Sequence, residues 1–271
     1  MPRRAELKRV VGIDRIWRGS NDVAGYTKLG LLRDCLIARI ERSTGLTLKE
    51  QMRWLKSHGS AEWATITWAL AVRNAGLIHC MRYAPLRSRE LVRLTRSMLR
   101  GTIRGVPCPI WTPGATVELT TPASVMKSHR SREGTFAAES DGPEVEQRFM
   151  RPLWALLLMP GGATEVLGGA TDLIFVGGTP SKRLKAPGLS AAFRKEVLRY
   201  AHAPNIDPAA LRSHDSAAGL HAVRALAGRY LAHDCGQVVQ AMVMLHHASV
   251  EITIARYVGN SVRASRVAMP Y

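Results

Sequence analysis

The sequence predicts a mostly α-helical fold with a small antiparallel β-sheet, and three observations carry that reading. Apolar residues recur at helical spacing through most segments. Thr116-Val117-Glu118-Leu119-Thr120 alternates polar and apolar, as a strand with one buried face does. Val125-Met126-Lys127 and Thr135-Phe136-Ala137-Ala138 flank a polar, basic stretch from Ser128 to Gly134, the pattern of a hairpin with a long loop. Hydrophobic residues make up 46% of 271. That suffices for one large domain, or for one domain with a small companion.

Residues 1–24 are polar and contain the turn signal Gly19-Ser20-Asn21-Asp22. Leu29, Leu31, Leu32, Cys35, Leu36 and Ile40 then form a helical stripe. Thr47-Leu48-Lys49-Glu50-Gln51 reads as an N-cap opening a second helix through Leu55, which Ser57-His58-Gly59-Ser60 breaks. A long apolar helix is expected from Ser60-Ala61-Glu62 to about Ala75, with a soft domain boundary near residue 60. Ile78 to Tyr83 is apolar, and Pro85 interrupts it. Ser88 to Leu99 reads as a helix with Leu91, Leu94 and Leu99 on one face and arginines on the others. Residues 101–116, rich in Pro and Gly, read as loop or edge strand. Further helices are expected over Val145–Leu158, Leu189–Tyr200, Ala217–Leu231, Gln237–Leu245 and Val250–Tyr257. Gly161-Gly162 and Gly168-Gly169 read as turns, and Leu173-Ile174-Phe175-Val176 as a short buried segment.

The charge balance points to a polyanionic partner. Lys and Arg number 38 against 21 acidic residues, a formal net charge of +17. Each cation placed near a nucleic-acid phosphate releases a condensed counterion; membrane surfaces and acidic proteins are the other partners such a surplus suits. Only eight of the basic residues are lysine. Arginine grips phosphate with a bidentate fork, whereas lysine acts as a point charge. No apolar run reaches the length that spans a bilayer, and no apolar stretch follows the basic N-terminus as in a secretory signal. Cys35, Cys80, Cys108 and Cys235 are far apart and form no Cys-x-x-Cys pair. That spacing argues against a zinc ribbon and for reduced thiols in a cytosol.

The last third concentrates groups that can act on a phosphodiester. His221 and Arg224 stand three apart, on one face of a predicted helix. His247, within Leu245-His246-His247-Ala248-Ser249, follows Arg224 by 23 residues, and Tyr257 follows His247 by ten. Upstream, Ala84-Pro85-Leu86-Arg87-Ser88-Arg89-Glu90-Leu91 opens a predicted helix with an acid three residues after an arginine. Lys127 sits at the expected hairpin, beside His129 and Arg130.

In this order the motifs resemble those of the tyrosine recombinases, the phage integrase family, over about residues 62–260. The first box resembles the family's Gly-Leu-Arg turn, with Pro85 where Gly is usual. Leu245-His246-His247-Ala248-Ser249 resembles its Leu-Gly-His-Ser-Ser box, with His246 at the Gly position. Tyr200, Tyr230 and Tyr271 lack the spacing that Tyr257 has.

The resemblance implies a tyrosine-recombinase-like catalytic domain and a role for each matching residue. Arg87 and Arg224 neutralise the non-bridging oxygens, more strongly as charge builds in the transition state. Tyr257 attacks to form a 3′-phosphotyrosyl link and release a 5′-hydroxyl. Lys127 protonates the leaving oxygen, His221 acts as acid and base, and His247 hydrogen-bonds the phosphate. Glu90 orients arginine side chains from behind. Neither metal, ATP nor other cofactor is implied. The implied partner is double-stranded DNA, held by a homo-tetramer on two duplexes, in the cytoplasm with the nucleoid. The implied activity is site-specific recombination or integration of a mobile element. A type IB topoisomerase, which shares this chemistry, and a decayed or truncated integrase that only binds DNA are the alternatives. Residues 1–61 are expected to form a short helical segment, a reduced or partial DNA clamp, and residues 62–271 the catalytic domain with its C-terminal tail.

Overall fold

At the centre of the molecule is a helix whose middle turns are buried on every side. In the computed structural model, which describes residues 22–126, 132–136, 144–168, 172–177, 184–199, 220–229, 231–232, 236–245 and 247–255, every residue from Ala71 to Met81 is buried. This helix, α3 (Ile66–Tyr83), follows α1 (Asp22–Thr44) and α2 (Leu48–His58). It packs against α1, against α5 (Glu144–Leu158) and α6 (Ala163–Gly168), and against α7 (Ala186–Arg199) and α8 (Leu220–Arg229). Its sequence, from Ala71 through Ile78 and Met81, is apolar around most of the cylinder, which is what a helix enclosed by other helices requires. The architecture is mostly α with a small antiparallel sheet, as the sequence predicts.

Local chemistry sets the helix ends. Thr47 caps α2: its hydroxyl accepts from Glu50 N–H at 3.3 Å while the Glu50 carboxylate accepts from Thr47 N–H at 2.7 Å. Gly59 ends α2 in the left-handed region at φ 72°, with its N–H on Leu55 O. The next helix does not start at Ser60, as the sequence suggests, but at Ile66, because Thr65 caps it. It then runs without a break through the apolar Ile78–Tyr83 stretch. Leu32, Leu36 and Ile40 of α1 and Leu48 and Leu55 of α2 share one core with α3, so apolar packing continues across residue 61.

The largest departure from the sequence reading is at Ser88–Leu99. Only Ser88–Leu91 (α4) is α-helical, followed by a 3₁₀ turn at Arg96–Met98. The cause is competition for backbone groups. Leu94 O accepts from Ile174 N–H at 2.9 Å, and Arg96 N–H donates to Asp172 O at 2.8 Å. Those bonds to residues 172–174 occupy groups a continued helix would need.

Leu99 instead opens the sheet, whose order is β2-β1-β3-β4. β1 (Leu99–Ile103) turns through Arg104 and Gly105, both at positive φ, into β2 (Val106–Cys108). Positive φ at both central residues is the requirement of a type I′ hairpin. β3 (Thr116–Thr121) pairs with β1, Leu99 opposite Leu119, and with β4 (Arg132–Phe136), Val117 opposite Phe136. Val117, Leu119 and Thr121 face the core and the alternate residues face out, the period-two pattern legible in the sequence. The expected hairpin therefore joins β3 to β4, and Val125 and Met126 lie in its connection rather than in a strand. α6 fills the interval between the two expected glycine turns, and α9 (Val238–Leu245) and α10 (Val250–Thr253) complete the described elements.

Candidate active site

The site is built where three distant segments meet one guanidinium. α3 ends at Ala84, and Leu86 N–H returns to Ala84 O at 2.6 Å, a three-residue turn with Pro85 at its centre. Proline's fixed φ suits the centre of an inverse γ-turn, so Pro85 is compatible with this corner. The Pro85 carbonyl accepts from Arg224, which stands on α8 and is 3% exposed. A second nitrogen of the Arg224 guanidinium donates to Leu245 O at the end of α9. One side chain thus ties the first box to the His-x-x-Arg helix and to the Leu-His-His segment. The planar fork is what lets one cation hold two carbonyls at once.

Arg87 is fixed separately. It is the N-cap of α4, immediately before the first helical turn. Glu90, 1% exposed, accepts from Arg87 N–H at 2.7 Å and from the Arg87 guanidinium at 3.0 Å. The Arg87 side chain itself remains 28% exposed. A buried carboxylate that takes both bonds orients an arginine that still reaches the surface.

His247 is half-buried beyond α9, with its backbone N–H on Met242 O at 3.0 Å. Its ring Nδ1 lies 2.9 Å from Thr253 Oγ1 on α10. Sequence reasoning misses Thr253. It is fully buried, and the only signal for it is a polar residue six positions after His247. Ser249 occupies the N-cap position of α10 between them.

The other expected site residues are placed less fully. His221 lies on α8, one turn before Arg224, and its side chain is outside the described residues. Lys127, His246 and Tyr257 lie outside the described residues, as do the alternatives His129, Arg130, Tyr200, Tyr230 and Tyr271. Lys127 follows the buried Met126 directly in sequence. The structure therefore brings together the segments of Arg87, Arg224 and His247. Among the described residues no three His, Cys, Asp or Glu side chains cluster as metal ligands would. No described helix is long and apolar enough to cross a membrane.

No family model and no curated protein matches the sequence. Among solved structures, the chain is similar to the XerH site-specific recombinase bound to a palindromic difH substrate in a post-cleavage complex, with TM-score 0.46 and 16% identity over 82% of this chain and 50% of that one. It is similar also to the pre-cleavage complex of XerH with difH, with TM-score 0.46 and 15% identity over 83% of this chain and 53% of that one. The chain spans about half the length of these proteins.

Proposed function

We propose that the protein is a tyrosine-type DNA strand transferase, a site-specific recombinase of the integrase kind. The observation that carries this reading is the Arg224 guanidinium bonded to the carbonyls of Pro85 and Leu245. Three motifs read separately from sequence converge there, which chance similarity of short motifs does not require.

In this reading a DNA phosphate sits between Arg87 and Arg224. Their charge stabilises the two non-bridging oxygens as the phosphorus becomes pentavalent. Tyr257 attacks phosphorus, the bond to the 5′ oxygen breaks, and Lys127 gives that oxygen its proton. The phenol proton passes to His221. His247 donates a hydrogen bond to the phosphate. The 3′-phosphotyrosyl bond keeps the energy of the phosphodiester, so a second 5′-hydroxyl reverses the step on another strand. Recombination by this route takes four protomers on two duplexes. The surplus of 17 positive charges suits the DNA this assembly must hold.

The test is a nicked duplex carrying the protein's native flanking sequence, run on denaturing gels beside Tyr257→Phe. The expected result is a covalent protein–DNA band that the Phe variant lacks. DNA binding with no band in either protein would overturn the enzymatic reading in favour of a DNA-binding protein. A band that persists in Tyr257→Phe would overturn the choice of tyrosine.

A further inference from the structure

His247 has a partner whose chemistry decides what the imidazole can do. Thr253 is the one fully buried residue of α10, and its Oγ1 stands 2.9 Å from His247 Nδ1 and 3.5 Å from Ser249 O. A hydroxyl has one proton to donate. The contact to Ser249 is at the outer limit of a hydrogen bond, and the contact to Nδ1 is near the optimum. Placed in the shorter of its two contacts, the hydroxyl proton lies toward Nδ1. A neutral imidazole that accepts at Nδ1 carries its own proton at Nε2.

We infer that Thr253 is a positioning residue: its hydroxyl donates to His247 Nδ1 and fixes the Nε2–H tautomer, the neutral form able to donate to a phosphate oxygen. The part concerning phosphate rests on the function proposed above, whereas the tautomer rests on placing the Thr253 hydroxyl proton in its shorter contact. On that proposed function two arginines meet one phosphate, and a neutral donor suits them, because a third cation there would cost additional like-charge repulsion.

The experiment uses the full chain labelled with ¹⁵N-histidine, with His247 assigned by its loss in His247→Gln. In the neutral ring the expected signals are an unprotonated, hydrogen-bonded Nδ1 and a protonated Nε2. The Nδ1 resonance should move in Thr253→Val and return in Thr253→Ser. A protonated Nδ1 in the parent protein, or an Nδ1 resonance indifferent to Thr253→Val, would overturn the inference. On the nicked duplex, Thr253→Val should form covalent complex about tenfold more slowly and Thr253→Ser at close to the parent rate, since one hydrogen bond is at stake. Equal rates for Val and parent would overturn the positioning role. Absence of any covalent complex in the parent would defeat the proposed function, while the ring spectra would still decide the tautomer.

Discussion

At the scale of single residues, the site depends on bonds that a conservative change cannot keep. Arg224 holds two carbonyls with a planar fork. Lysine offers one compact ammonium, so Arg224→Lys should lower covalent complex formation on the nicked duplex by about a hundredfold or more, even where the fold survives. A rate equal to the parent's would mean that the fork is not needed. Arg87, Glu90, Arg224 and His247 are singled out in the sequence by the resemblance of their motifs. What holds them is not legible there. The acceptors of Arg224 are backbone carbonyls, which any residue supplies, and the partner of His247 is an ordinary threonine. Glu90 is the exception: its bonds to Arg87 join residues three apart, a distance that sequence records.

At the scale of elements, glycine marks where backbones approach too closely for a side chain. Gly161, at φ 71°, follows α5, and a Cβ on it would stand 2.1 Å from Gly59 O at the end of α2. Gly161→Ala should therefore cost about 2–5 kcal/mol, from left-handed strain plus overpacking against a backbone that cannot yield. Thermal unfolding of the variant measures this directly, and an unchanged midpoint would mean the two helix ends do not meet. The sequence shows Gly161 as a turn but not its partner at the far end of α2. The helices themselves are legible where one apolar stripe decides them, as in α1, α2 and α5. The Ser88–Leu99 segment misleads because its leucines fit a helix while its backbone bonds to residues 172–174, a competition that periodicity does not record.

At the scale of the whole molecule, a buried polar network joins helices far apart in sequence. Arg73 donates to Asn74 Oδ1 and to Val176 O, Asn74 donates to Glu196 at 2.9 Å, and Arg39 and Arg199 reach Glu196 from α1 and α7. Burial lowers the pKa of the Arg73 guanidinium to about 10, opposed by Glu196. Burial likewise pushes the Glu196 carboxyl above its ordinary value, opposed first by Arg39 and then by Asn74. A carboxyl raised in the folded state binds protons more tightly there than in the unfolded chain. Its stabilising contribution is present below the ordinary carboxylate range and is lost as pH rises through its folded value. Unfolding free energies from about pH 4 to 7 should therefore shift in favour of Glu196→Gln, relative to the parent, as pH rises. A constant difference across that range would contradict the assignment. None of this network is visible in the sequence, because its members gain meaning only once the helices pack. The surplus of positive charge is a whole-molecule property too, and it is fully legible in the composition. If it serves DNA, affinity for a duplex should fall steeply with salt, by about a thousandfold between about 50 and 200 mM for a contact of about six or more phosphates. Binding indifferent to salt would mean that the positive charge does not meet DNA phosphates.

In the proposed reaction Tyr257 becomes joined to a DNA 3′-phosphate. The most direct measurement is to trap the complex on a nicked duplex, digest both partners, and locate the nucleotide-bearing peptide by mass spectrometry. The expected product is a 3′-phosphonucleotide on Tyr257. A nucleotide on any other residue, or DNA bound with no adduct at all, would contradict it.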